Sequence, residues 1–469
     1  MDLSWLSQDR LHMPEQVDLI VRNGTVVGPD GRGQLDLAVR RGRLVSIVAR
    51  GDLAAVADRE IDAGGLYVIP GVIDGHVHFR EPGLTAKEDW DSGSTAAVMG
   101  GVTTVLEMPN TIPPTDTVDR ARAKLALAAA RSWCDFGIYG LVTDENRSEL
   151  GPLARQGLVV GFKAFLGPTV GDLLEPSERH LTAAMRAIAA QGKRLGVHAE
   201  DRASVEAGVQ AMRAAGRHDA AAHGDSRPPA AEVIAIDRVA RLAAATGCPL
   251  HVFHLTSAEG LAAVEAWRRR GVDISCELTP HHAFLDTADV ARLGGLARVN
   301  PPLRAPGHGA TLLRALADGR IDVVATDHAP HERERRLGDD IWAVASGFPG
   351  VETSLPLFLG EGVAAGRLTL EQLVRATSEG PARTWGLWPQ KGAIAIGSDA
   401  DLTLIDLARE GVITGAGLHG RGDLTPYEGR RTMGAPVATI IRGQVVMRDG
   451  ELVGEASGRA VRPVSALVV

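Results

Sequence analysis

Cysteine is scarce in this chain of 469 residues, with only Cys134, Cys248 and Cys276 present. Three dispersed thiols cannot build a disulfide framework or a cysteine-ligated zinc site, so they read as reduced residues in or near a core. Runs of like charge are also missing. A formal charge of -8 and a pI near 6.0 offer no basic surface for nucleic acid and point to a small-molecule substrate. No uninterrupted apolar stretch is long enough to span a bilayer. The start, Met1-Asp2-Leu3-Ser4-Trp5-Leu6, carries an early acid and no long apolar region, unlike a signal peptide, so a cytoplasmic location is expected. No G-x-G-x-x-G follows any candidate strand, which leaves a dinucleotide-binding fold without support.

What the chain does contain is alternation at both ends and βα repetition between them. Residues 17 to 70 alternate apolar and polar positions, as in Val17-Asp18-Leu19-Ile20-Val21-Arg22, broken by turn signals such as Asn23-Gly24. The same texture returns in Ala400 to Asp406 and Val437 to Val446. These ends predict one small β-sandwich domain from 17–68 and 388–469, preceded by an N-terminal extension, 1–16. Between them, eight β-rich runs near 69–78, 102–109, 136–143, 159–166, 194–199, 249–255, 273–278 and 322–327 alternate with Ala-, Leu- and Arg-rich helical stretches. Eight such repeats over 69–387 predict a (β/α)8 TIM barrel, with a doubly wound open sheet as the alternative.

A (β/α)8 barrel builds its site at the C-terminal ends of the strands. Here the first strand ends in His76-Val77-His78, two histidines that share a strand face. The fourth carries Lys163, the fifth His198, the sixth His254 and the eighth Asp327. Singly, each reads as an ordinary core or salt-bridged residue; jointly they supply the nitrogen and oxygen donors that a zinc-like divalent ion prefers. Lys163 cannot ligate a cation while protonated. Flanked by Phe162 and Phe165, it is expected to be desolvated, hence neutral, nucleophilic and able to capture carbon dioxide as an anionic carbamate that bridges two metals. Two such ions would make water nucleophilic at neutral pH and polarise a carbonyl. Asp327 then serves twice, as a ligand and as the base that takes the water's proton and returns it to the leaving nitrogen.

This set resembles the binuclear amidohydrolase superfamily in its cyclic amidohydrolase branch, and within it the dihydroorotases most. The similarity extends through Gly75 to Gly83, Met108-Pro109-Asn110-Thr111, Thr279-Pro280-His281-His282, Asn300-Pro301-Pro302-Leu303-Arg304, Ala325 to His331, Gly347 to Thr353 and Gly397 to Leu402. The resemblance implies the following: His76, His78, Lys163, His198, His254 and Asp327 hold two divalent ions, zinc above all, and Lys163 is N6-carboxylated. Arg80 and Asn110 hold a substrate carboxylate, and Asn300 and His331 contact the ring or that carboxylate. The reaction implied is the reversible conversion of (S)-dihydroorotate to N-carbamoyl-L-aspartate in pyrimidine synthesis, by a homo-oligomer, dimer or tetramer, with a transcarbamoylase partner left open. Allantoinase or hydantoinase is the alternative, because the metal set is shared; a non-catalytic amidohydrolase-like binding or assembly protein is a further one, opposed by the complete ligand set. His281, His282 and His328 are expected in supporting roles. The Phe162 to Phe165 context looks closer to allantoinases, hydantoinases and lysine-containing dihydroorotases, and residues 331 to 346 depart from the dihydroorotase pattern as an expected loop over the site.

Overall fold

The computed structural model describes residues 16–169 and 175–463, so the expected N-terminal extension lies outside the described residues apart from Gln16. Eight apolar runs form parallel strands buried at every position: Val72–Val77, Val102–Glu107, Asp135–Leu141, Gly161–Phe165, Leu195–His198, Leu250–Val252, Ile274–Leu278 and Val323–Val324. Burial on both faces is what a parallel sheet wrapped in helices requires. Neighbours pair in sequence order, and a bridge between Val77 and His328 joins the last strand to the first, as a barrel demands. Each predicted strand is present but shorter. The last is the shortest because Thr326 turns its N–H and hydroxyl to the Asp74 carboxylate, at 3.1 and 2.5 Å.

Helices follow the strands with ordinary local signals. Thr117 caps Val118–Arg131 and Ser257 caps Ala258–Arg269, while Pro229–Thr246 starts on a proline and ends at Gly247 in the left-handed region. Their apolar faces and the outer faces of the strands share the largest core cluster. Inside the barrel, Tyr139, Phe253 and Trp385 form an aromatic floor, with Tyr139–Trp385 centroids 4.7 Å apart.

The two ends of the chain make the predicted second domain, a nine-stranded mixed sheet in which eight strands run in one hydrogen-bonded path and the ninth, Val56–Asp62, pairs beside it with Gln16–Gly28. Tyr67–Pro70 stitches it together: it pairs in parallel with Gln16–Gly28 and antiparallel with Leu402–Val412. Leu19 and Leu37 from one end therefore share an apolar cluster with Leu402 and Ile440 from the other. No helix among the described residues is long and apolar enough to cross a membrane.

One buried ion network ties the sheet to the N-terminal end of the barrel. Lys391 Nζ lies 2.5 Å from Asp135, 2.6 Å from Asp401 and 3.1 Å from Asp399, and Arg442 also pairs with Asp135. The three aspartates converge closely enough to suggest a cation site, and the ammonium is that cation. These carboxylates hold the lysine's pKa above its ordinary value despite its burial. Removing a partner from a buried ion network costs about 3–5 kcal/mol, because the charges left behind are unpaired. Lys391→Met is therefore expected to lower stability by about that amount, which a shift in the urea unfolding midpoint will show.

Candidate active site

The site lies where the strands end, and the backbone bends sharply to build it. Among the described residues seven non-glycine residues have positive φ, and three of them line this cavity: Arg80 (63°), His254 (37°) and Asp327 (49°). Each such conformation is disfavoured by roughly 1–2 kcal/mol for an L-residue, strain of a kind that clusters at functional sites. His76, His78, Asn110, Lys163, His198 and Asn300 line the same cavity, together with Phe165, Thr169 and Ser346.

Hydrogen bonds on the far side of each ring show what the near side needs. Burial lowers the pKa of His76 to about 3, so its imidazole is neutral and has one ring proton. That proton goes to Glu277, whose Oε1 lies 2.6 Å from Nδ1. Nε2 is then a bare lone pair, yet it sits 3.1 Å from Asp327 Oδ1. His78 repeats the pattern: Nδ1 donates to Asn110 Oδ1 at 2.8 Å, and Nε2 faces the same Asp327 oxygen at 3.1 Å. Two acceptor nitrogens and one acceptor oxygen converge with no proton between them. With those tautomers a cation between the three atoms relieves the arrangement.

A second pair stands beside it. His198 Nε2 donates to Glu200 at 2.9 Å, which turns its bare Nδ1 toward His254 Nε2 at 3.0 Å. His254 Nδ1 is buried without a hydrogen-bond partner among the described residues. Burial lowers the pKa of both rings, so they are neutral imidazoles with lone pairs that could serve a metal, rather than cations. Neutral imidazoles and a carboxylate at this spacing fit divalent, zinc-like ions.

Lys163 is desolvated as expected, though by a different ring. Phe162 belongs to the outer core, because adjacent strand residues point to opposite faces. The ring nearest the amine is Phe253, its centroid 3.8 Å from Nζ, with Phe165 at 5.0 Å. Phe253 can reach it only because residue 196 is glycine: a Cβ there would lie 2.0 Å from the ring. Desolvation brings the lysine's pKa down to about 7, so much of it is a neutral amine near neutrality.

Arg80 lies not on a continued strand face but on a turn, since the strand ends at Val77 and Phe79 N–H is held by Glu107 at 2.6 Å. Arg80 is buried, 2% exposed, and its Nε has no hydrogen-bond partner among the described residues. Glu81 does not serve it: that carboxylate pairs with Arg131 at 3.0 Å. Asn110 spends its oxygen on His78, which leaves its NH2 free to donate. Asn300 Oδ1 accepts from Ser346 Oγ at 3.4 Å. His331 does not line the cavity; its Nε2 donates to Ser346 O at 2.9 Å, and burial lowers its pKa to about 2. His282 is fixed by Thr279 and Pro301, and His328 by Gly350 and Glu88, so both are supporting residues. His281 is buried with Nε2 unpartnered and also stands outside the cavity lining.

Sequence reasoning missed Glu277 and Glu200. Glu277 is the more consequential, since it also accepts from His254 N–H at 3.0 Å and lies 3.2 Å from His251 Nε2. The signal was available, because a carboxylate between Cys276 and Leu278 in a fully buried strand needs partners. Loss of such an outer partner typically weakens metal binding about 10- to 100-fold. Glu277→Gln, which keeps the shape but removes the anionic acceptor, is expected to lose metal to a competing chelator by that factor, as measured by metal retention.

Known proteins resemble this chain in sequence and fold. The amidohydrolase family model matches residues 67–446. An allantoinase of Rubrobacter xylanophilus is 39% identical over 449 residues, covering 95% of this chain and 98% of its own. A dihydroorotase of Halobacterium salinarum is 42% identical over 403 residues, covering 86% and 91%. Among solved structures, the L-hydantoinase (dihydropyrimidinase) of Arthrobacter aurescens superposes with a TM-score of 0.93 at 36% identity, over 95% of this chain and 100% of that one. The barrel, the converging acceptors and these full-length relatives agree: the chain belongs to the amidohydrolase family and is a cyclic amidohydrolase.

Proposed function

We propose that this enzyme opens a cyclic amide that carries a carboxylate, namely (S)-dihydroorotate, in reversible exchange with N-carbamoyl-L-aspartate for pyrimidine synthesis. The observation that supports this most is Arg80, a buried guanidinium on the cavity wall with no bonded carboxylate among the described residues. A desolvated guanidinium calls for an anion, and its fork suits a carboxylate. The Asn110 amide adds a neutral donor, and Asn300 faces the ring. His331 supports the wall by fixing the Ser346 carbonyl. A cytoplasmic homo-oligomer remains part of this reading.

In this reading His76, His78 and Asp327 would hold one divalent ion, and His198 and His254 would hold the other. Lys163, whose neutral amine can take up carbon dioxide with loss of one proton, would add an anionic carbamate to the donors for both. Bound there, such ions supply an acidified water and a Lewis acid for the amide carbonyl. Asp327 takes the proton of the attacking water and gives it to the leaving ring nitrogen. Arg80 and Asn110 hold the ring so that its carbonyl meets that water, which lowers the entropic part of the barrier.

A second reading, a ring without a carboxylate such as allantoin or a hydantoin, is favoured by the fuller coverage of the allantoinase and L-hydantoinase relatives. Zinc-loaded enzyme assayed on dihydroorotate, allantoin, dihydrouracil and hydantoin separates the two. Dihydroorotate turnover is expected. Arg80→Met should lower its kcat/KM about 10^2- to 10^3-fold, the usual effect of stripping one partner from a buried charge pair. Turnover of another ring without dihydroorotate, little changed by Arg80→Met, defeats the carboxylate reading.

A further inference from the structure

A second cavity, of about 420 Å3, opens at the N-terminal end of the barrel, where Asp135 begins the third strand and the sheet domain meets it. We propose that it binds a phosphate-bearing, multiply charged small anion. Its lining contains six basic side chains, Arg41, Arg43, Lys391, Arg442, Arg459 and Arg462, against two acids, Asp135 and Asp399. This concentration occurs in a chain whose net charge is -8.

Folding accounts for only part of that charge. Lys391 is paired with its aspartates, Arg442 with Asp135 while also donating to the Ser457 carbonyl, and Arg43 with Asp399 at 3.7 Å while donating to the Gly397 carbonyl at 2.6 Å. The guanidiniums of Arg41, Arg459 and Arg462 have no hydrogen bond or ion pair among the described residues. Their backbones are nonetheless fixed. Arg41 sits at a left-handed turn, φ 52°, with its N–H held by Asp18 at 2.5 Å. Arg459 N–H is held by Asp135 at 2.8 Å, and Val461 N–H by the Phe136 carbonyl at 2.8 Å.

A solvated basic face is the simplest alternative, but it does not explain why three unpaired guanidiniums surround one cavity of ligand size while most of the described arginines of this acidic chain are paired. Cavities of roughly 300–1,000 Å3 hold small ligands, and guanidinium forks match phosphate oxygens. Lys391 and its aspartates close the floor, so the anion would be held by the rim arginines.

The test is calorimetric titration of the metal-loaded enzyme with inorganic triphosphate at physiological ionic strength. Saturable binding is expected, with at least a tenfold loss of affinity in Arg41→Ser/Arg459→Ser and a smaller loss in Arg462→Ser. These side chains are exposed and far from the catalytic mouth, so turnover without triphosphate should be unchanged. Any contact of triphosphate with the metal centre is common to all three proteins and cancels in the comparison. Absence of saturable binding, or equal affinity in wild type and variants, overturns the proposal.

Discussion

Three lone pairs aimed at one point organise this molecule. His76 Nε2, His78 Nε2 and Asp327 Oδ1 meet at 3.1 Å, with each ring proton already committed elsewhere. In a folded protein such a contact is unfavourable unless a cation sits within it, so the surrounding structure must hold it in place. The closed barrel does so by bringing the first and eighth strands together. Asp74 grips Thr326 across that seam, and desolvation raises its own pKa to about 7. Glu277 and Asn110 then fix the tautomers that leave the nitrogens bare.

The rest of the site depends on the same closure. The aromatic floor of Tyr139, Phe253 and Trp385 excludes water from below, and Phe253 also strips water from Lys163. Left-handed turns at Arg80, His254 and Asp327 aim side chains from three different strand ends into one cavity. At the other end of the barrel the Lys391 network couples the sheet domain to the third strand, which separates stability from chemistry in the way (β/α)8 barrels commonly do.

Much of this was legible in the sequence wherever a period or a spacing carried it. Apolar runs marked the eight strands, and the i, i+2 spacing of His76 and His78 gave a shared face. The ends of the chain announced their sheet by alternation. Features set by tertiary geometry were not legible. Arg80 reaches the cavity from a turn, so its face could not be read from strand phase. The ring over Lys163 came from residue 253, not from neighbouring Phe162, and the partner of Lys391 at Asp135 lies 256 positions away in sequence. Glu277 and Glu200 were visible as buried acids but had no assigned partner until the fold supplied one. Substrate identity is the least legible property, because relatives named allantoinase, dihydroorotase and L-hydantoinase all match this chain over most of its length.

The most direct test of this account is the number and position of metal ions, read from elemental analysis together with anomalous diffraction at the zinc edge. Two ions per chain are predicted, one within contact of His76, His78 and Asp327 and one of His198 and His254, with Lys163 reaching both. A fully loaded protein holding its ions elsewhere, or none between His76 and Asp327, would contradict it.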